Sequence, residues 1–289
     1  MTGWLNILIQ GTLLGGLYAL FAIGLSLIFG IMRLVNLAHG DLIVLAAFVI
    51  LAVMTSFGID VLTALAISLP IMFVVGFVLQ YVILNQTLGR DILPPLLVTF
   101  GFSIIIQNGL QEAFSADSQR LAAGAIETAS IQLGGGLAVG VMPLLTLLTA
   151  IGVIFALNAL FYWAPLGRAF RATSDDPITA QLMGIDNRRI FAIAMGIAMI
   201  VTAIAAFYLG IRANFDPSIG PARLIYAFEA VIIGGLGSLW GTLLGGIILG
   251  VAQTIGAHIN PEWQILSGHV AFLIILILRP RGLFPRAFD

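Results

Sequence analysis

Four side chains in this sequence are polar where nearly everything around them is apolar. Three lie in the run Arg33-Leu-Val-Asn-Leu-Ala-His-Gly-Asp41, namely Asn36, His39 and Asp41. The fourth is Glu229, in Ala227-Phe-Glu-Ala230. An ionisable group at membrane depth is by default a suspect for lining a permeation path. Asn36 and His39, three apart, would share a helix face, and Gly40 permits a kink before Asp41. A second reading is structural: His39 and Asp41 cap a broken helix and hold it in place. Arg33 draws the run toward the cytoplasmic edge and so favours this second reading. For Glu229 the structural reading is a pairing with Arg223 or a backbone group. Gln107, Asn108 and Gln253 suit hydrogen bonds between helices.

Other chemistries are missing their residues. The chain has no Cys, which removes disulfides, thiol catalysis and zinc–thiolate sites. All 12 residues of the Lys+Arg total are Arg, so there is no Lys. A P-loop needs one, as does a Schiff base. His39, His258 and His269 are too scattered for a metal cluster. The runs Gly134–Gly136 and Gly234–Gly237 lack dinucleotide-loop spacing. A net charge of -1 gives no support for nucleic-acid binding. No catalytic set, metal site or cofactor site is expected on this chain.

The elements that must hold these groups are membrane helices. Hydrophobic residues make up 60% of the 289 and charged residues 9%, and mean hydropathy is +1.12. A soluble domain carries about 25% charged residues. Lipid must therefore be the solvent over most of the exterior, and apolar runs of helix-span length point to a helical bundle over a barrel. The sequence predicts an all-α, polytopic transmembrane bundle forming one domain over 1–289. Spans are expected near Trp4–Ile31, Leu34–Thr55, Val61–Leu84, Leu93–Phe114, Leu137–Trp163, Ile190–Ile211, Trp240–Ala257 and Trp263–Leu278. A shorter segment, Tyr226–Leu236, suits a partial or broken helix. The first run has no basic flank and is too long for a cleaved leader, so it reads as a retained span.

Arginine placement sets the orientation. Arg33, Arg90, Arg168, Arg171, Arg188, Arg189, Arg279, Arg281 and Arg286 fall on one side, and Arg120, Arg212 and Arg223 on the other. The richer side is cytoplasmic, which places the N-terminus outside and the C-terminus inside. That requires an odd number of crossings, so the short segment must reach the far side. Glycines four apart, such as Gly11 and Gly15 or Gly246 and Gly250, let helix backbones approach closely within the chain. Helix-breaking stretches in opposite halves, Arg33–Asp41 and Asn214–Gly237, hint at an inverted repeat with a pathway at its interface.

Between the fifth and sixth long spans lies a polar loop, 164–189. Asp176 suits an N-cap, Pro177 the first helical position and Gly184 the residue past the helix end. A helix of about two turns over Pro177–Met183 follows. It would expose Ile178, Leu182 and Met183 outside the bilayer, a docking knob with Arg168 and Arg171 at its base. An ordinary amphipathic connection is the other reading of this loop. On the opposite side, 115–136 forms a polar segment with Asp117 and Glu127.

Three stretches, in order, carry a resemblance across essentially the whole chain. They are Gly16-Leu-Tyr-Ala-Leu-Phe-Ala-Ile-Gly-Leu-Ser-Leu-Ile-Phe-Gly30 with the Arg33–Asp41 run, Gly167-Arg-Ala-Phe-Arg-Ala-Thr173 with Met183-Gly-Ile185, and Ala227-Phe-Glu-Ala-Val-Ile-Ile-Gly-Gly-Leu-Gly-Ser-Leu-Trp-Gly241 with Arg279-Pro-Arg-Gly-Leu-Phe284. The sequence resembles the permease family of branched-chain amino acid ABC transporters, in its shorter first type. Many relatives have Pro where this chain has Trp240, which bears on a local turn and not on the fold. The resemblance implies a multi-pass permease of the bacterial inner membrane that is not itself an enzyme. It implies import driven by ATP and Mg on two separate ATPase subunits, a second, related permease chain, and a periplasmic substrate-binding protein. It also implies that Arg168, Arg171, Asp176, Pro177, Ile178, Leu182, Met183 and Gly184 belong to a coupling helix seated in the ATPase. Relatives that carry amides, urea or aromatic acids have similar permeases. A secondary transporter would share the broken helices but would need an ion relay, and would not need the helix at Pro177.

Overall fold

The computed structural model describes residues 2–89, 91, 93–134 and 137–284. Eleven α-helices follow in order: α1 Thr2–Met32, α2 His39–Phe57, α3 Val61–Val78, α4 Leu93–Phe114, α5 Val141–Trp163, α6 Pro165–Asp175, α7 Pro177–Leu182, α8 Asn187–Arg212, α9 Gly220–Gly234, α10 Leu239–Ile259 and α11 Trp263–Leu278. A π turn, Leu79–Ile83, and a 3-10 turn, Leu84–Gln86, prolong α3. Among the described residues, seven helices are long and apolar enough to cross a membrane, and α11 is a shorter apolar helix. With α9 at 15 residues, these are the eight spans and the partial helix that the apolar runs predict.

Several expected boundaries move. The second span starts at His39 and not at Leu34. The fifth span starts at Val141, because Ser130–Gly134 and Leu137–Gly140 pair instead as an antiparallel hairpin, β1 and β2. Gly-rich sequence is a poor helix former, so the helix waits for the first continuous apolar run. The partial helix starts six residues before Tyr226, at Gly220 with Pro221 in its first turn, which places Arg223 inside a helix and not in an external loop. In the polar loop, α7 ends at Leu182 and Met183 is its C-cap residue, while 165–175 forms an additional amphipathic helix, α6.

Helix packing reveals the repeat. α1 has its broadest interface with α10, and α8 has its own with α3. α1 also packs on α9, as α8 does on α2; α2 packs on α3 and α4, as α9 does on α10 and α11. Exchanging α1–α4 with α8–α11 therefore maps one set of neighbours onto the other. One asymmetry stands out: α11 lies broadly against α10, whereas α4 makes no comparable interface with α3. An apolar cleft of about 380 Å³ lies among α2, α3 and α4 instead, lined by Leu45, Val75 and Phe102 among others. The glycine spacings serve intrachain packing: a Cβ on Gly15 would collide with the backbone of Gly246 and Ile247 on antiparallel α10.

The two ends of the bundle are distinct. At one end, Gln10 donates to the Ala138 carbonyl at 3.2 Å, Gln119 bridges to Phe215, and Trp4 meets His258 edge-on. At the other, Ser174 Oγ donates to the Gly30 carbonyl at 2.7 Å, Asn85 donates to the Arg188 carbonyl at 3.0 Å, and the Leu283 and Phe284 N–H groups donate to Ile233 and Gly234 at 2.9 and 3.0 Å. The start of α1 and residues 283–284 thus lie at opposite ends, and α9 completes the odd number of passes. Met1, Arg90, Gly135, Gly136, Arg286 and Asp289 lie outside the described residues.

Candidate functional site

α2 and α9 both begin inside the bundle. α1 is 31 residues long, about 46 Å at 1.5 Å per residue. The His39 ring lies at 2.7 Å from the Phe21 carbonyl, level with a point about 16 Å before the end of α1. The chain from Arg33 to Ala38 therefore climbs back along α1 before α2 starts. Residues 213–219 precede α9 in the same way at the end of α8. The two helix starts abut: a Cβ on Gly40 would collide with the Gly220 carbonyl, and one on Gly220 with the Asp41 carboxylate. Only glycine on both helices allows this approach.

The polar groups of this seam bind their surroundings. Asn36, His39 and Asp41 are buried. Asn36 Oδ1 accepts the Ala38 N–H at 3.0 Å. The His39 Nε2–H donates to the Phe21 carbonyl, which leaves its Nδ1 without a partner. Asp41 Oδ1 accepts from Gln107 of α4 at 2.9 Å, and Thr99 of α4 accepts the Leu37 N–H at 3.2 Å. Gln107 thus joins two helices as its residue type suggests, whereas Asn108 bonds within its own helix.

Glu229 departs from the sequence expectation. Its partner is not Arg223 but His269 of α11, through Oε1 and Nδ1, and its Oε2 has no partner. Tyr226 stacks between His269 and Tyr18, with ring centroids 6.5 and 4.9 Å away. The Tyr18 hydroxyl donates to Gln253 at 2.5 Å. Sequence reasoning missed Tyr18, Tyr226 and His269. The signal available was an aromatic or imidazole side chain at the centre of each of three apolar helices. Asp41–Gln107 and Glu229–His269 join corresponding helix pairs of the repeat at different heights: each ties an outer helix, α4 or α11, to an inner one.

At the basal end, Asp176 caps α7 as its sequence predicts. Its Oδ1 accepts the N–H groups of Ile178 and Thr179 at 3.0 and 3.1 Å, and the Thr179 hydroxyl donates to its Oδ2 at 2.5 Å. The Thr179 hydroxyl and N–H hold the Asp176 carboxyl below the usual range. Gly184 adopts a φ of +85° just past the helix. Ile178, Leu182 and Met183 are 74%, 82% and 79% exposed. Arg168 is exposed, but Arg171 folds back, donating to the Phe161 carbonyl and lying over the Tyr162 ring. Ser174 ties α6 to α1, and Asn187 of α8 donates to the Pro177 carbonyl at 2.6 Å. The α6–α7 pair is thereby fastened to α1, α5 and α8.

The 115–136 segment folds over the opposite end of α8. Arg120 pairs with Glu127 at 3.0 Å and donates to the Ile211 carbonyl, and buried Leu121 covers Gly210. Asp117 stays exposed.

Comparison with known proteins fits this architecture. A family model described as "Branched-chain amino acid transport system / permease component" matches residues 7–278. The high-affinity branched-chain amino acid transport system permease protein BraD of Pseudomonas aeruginosa is 30% identical, over 98% of this chain and 96% of that one. LivH of Escherichia coli, described in the same words, is 27% identical over 98% of this chain and 96% of its own. A second Escherichia coli permease protein of that description, LivM, is 26% identical over 93% of this chain and 68% of its own. With the match covering nearly every membrane helix, the chain belongs to the family of branched-chain amino acid transport permease components.

Proposed function

We propose that this chain is a membrane-spanning permease subunit of a binding-protein-dependent ABC importer, translocating branched-chain amino acids across the bacterial inner membrane. The observation that carries the reading is α7: a capped helix outside the spans, with three exposed apolar side chains, fastened through α6 to three spanning helices. Two separate ATPase subunits hold ATP and Mg, and their grooves seat α7. Arg168, Asp176, Pro177, Ile178, Leu182, Met183 and Gly184 form or shape that contact, while Arg171 secures its base. A related permease chain completes the pore; two different permease proteins of one organism, LivH and LivM, both match this sequence. A periplasmic binding protein delivers substrate to the end capped by 115–136. Docking there is partly electrostatic through Asp117 and weakens as salt rises; a salt-independent association would remove that element.

Asn36 and His39 hold the seam, and Asp41 and Glu229 connect it to α4 and α11. Polar groups at membrane depth face protein or a wet path and not lipid. The half-exposed His269 and Gln107 therefore turn their face toward the pathway. A small shift at the abutting starts of α2 and α9 then reaches both outer helices. Uptake of labelled leucine into proteoliposomes holding the purified complex tests the reading. ATP and binding protein should both be required. Uptake by this chain alone, driven by an ion gradient, would establish a secondary transporter instead. Uptake of amides, urea or aromatic acids in preference to leucine would change the substrate and not the mechanism.

A further inference from the structure

A cavity of about 200 Å³ opens at the basal end between α1, α5, α6 and the start of α10. Its lining is unusually polar for a membrane helix bundle: Ser26, Asn158, Arg171 and Ser238 contribute, with Tyr162 and Trp240 at the mouth. Ser26 is the telling residue. It is fully buried, and its hydroxyl has no hydrogen-bond partner. Other helix hydroxyls, those of Ser68, Thr146 and Thr202, donate to the carbonyl four residues back. Ser26 does not, so its donor is left to the cavity.

Two positive elements converge there as well. The Arg171 guanidinium spends one nitrogen on the Phe161 carbonyl, leaving donors on its remaining nitrogens. The first N–H groups of the 21-residue α10 have no acceptor within the helix, and Ser238 Oγ takes that of Gly241 at 3.2 Å. The positive end of that helix faces the cavity mouth. Trp240 packs edge-on against Phe155 at 5.1 Å, and Tyr162 and Trp163 are strongly exposed. Such rings belong at the boundary between headgroups and acyl chains.

We propose that this cavity binds the phosphodiester headgroup of an anionic phospholipid from the cytoplasmic leaflet. Ser26 and Arg171 donate to the phosphate, α10 presents its positive end, and the acyl chains lie along Phe155 and Trp240. A zwitterionic headgroup carries the same phosphate but also brings its ammonium toward the guanidinium and the positive helix end, which disfavours it. The site sits between α5 and α6, so its occupant braces the base of the coupling pair. This role rests on the permease reading, but binding itself does not and is measured without transport.

The test is retention of lipid by the purified complex in detergent, counted by native mass spectrometry after equilibration with phosphatidylglycerol and phosphatidylcholine together. Phosphatidylglycerol should be retained preferentially. Arg171→Gln, which removes the charge, should lower retention about fivefold, as expected for one basic charge near a membrane surface. Ser26→Leu, which fills the cavity, should do the same without touching charge. Equal retention of the two lipids overturns the proposal, as does unchanged retention in both variants. Displacement of the lipid by inorganic phosphate would assign the site to free phosphate and overturn it too. If Arg171→Gln does not assemble, Ser26→Leu alone decides.

Discussion

Asp176 is the residue whose role is most legible from its neighbours. An Asp followed by Pro, with Gly eight residues on, states a short capped helix through local chemistry alone. The depressed carboxyl gives this cap a pH dependence of definite sign. Its contribution is complete above the ordinary Asp range, about pH 4, and is lost as pH falls through the lower folded value. Amide exchange over Ile178–Leu182, corrected for intrinsic rates, should accelerate as pH drops through that window. Asp176→Asn, which still caps but does not titrate, should abolish the acceleration; persistence in that variant would assign it to another group. Glu229 shows the opposite case. Its local neighbours suggested Arg223, but its partner His269 lies 40 residues away on another helix. No local pattern encodes such a pair, because only tertiary packing creates it.

At the level of elements, apolar run length located every spanning helix, since a bilayer tolerates little else. Where runs broke, the sequence marked the break but not its depth. Arg33 suggested a cytoplasmic edge for the Asn36–Asp41 run, yet the chain climbs back along α1 to meet α9 within the bundle. Helix α6 was missed because its apolar face is short and its buried Thr173 and Ser174 read as loop residues. α4 is the element with fewest supports. It lies against α2 and relies on Gln107 and Thr99 for hydrogen bonds to the seam. Replacing Gln107 with Leu leaves Asp41 Oδ1 without that donor, at a cost of about 1–3 kcal/mol. Lower thermal stability of the purified complex is expected, with looser α2–α4 contact. The chain has no Cys, so disulfide trapping between cysteines introduced at Leu45 and Phe102 reads that contact without background. Unchanged stability together with unchanged trapping would show that the bond does not hold α4.

For the whole molecule, the arginine count and the packing agree on an odd number of passes. Tags at Met1 and after Asp289 should therefore be accessible from opposite faces, the first periplasmic and the second cytoplasmic; access from one face would overturn the topology. The inverted repeat was legible only as two breaks in opposite halves, since the halves share little sequence. It becomes plain in which helices neighbour which. The central claim is that α7 carries ATP-driven motion into this repeat through α6 and α8. Leu182 is 82% exposed, so Leu182→Asp should leave membrane insertion intact while placing a charge in the proposed apolar contact with an ATPase subunit, where an unpaired charge is strongly unfavourable. The most direct measurement is leucine transport and ATPase activity of this variant in reconstituted complexes, with assembly checked by co-purification. Transport should be lost, and ATPase activity should no longer respond to loaded binding protein. Normal transport by a fully assembled Leu182→Asp complex would contradict the claim.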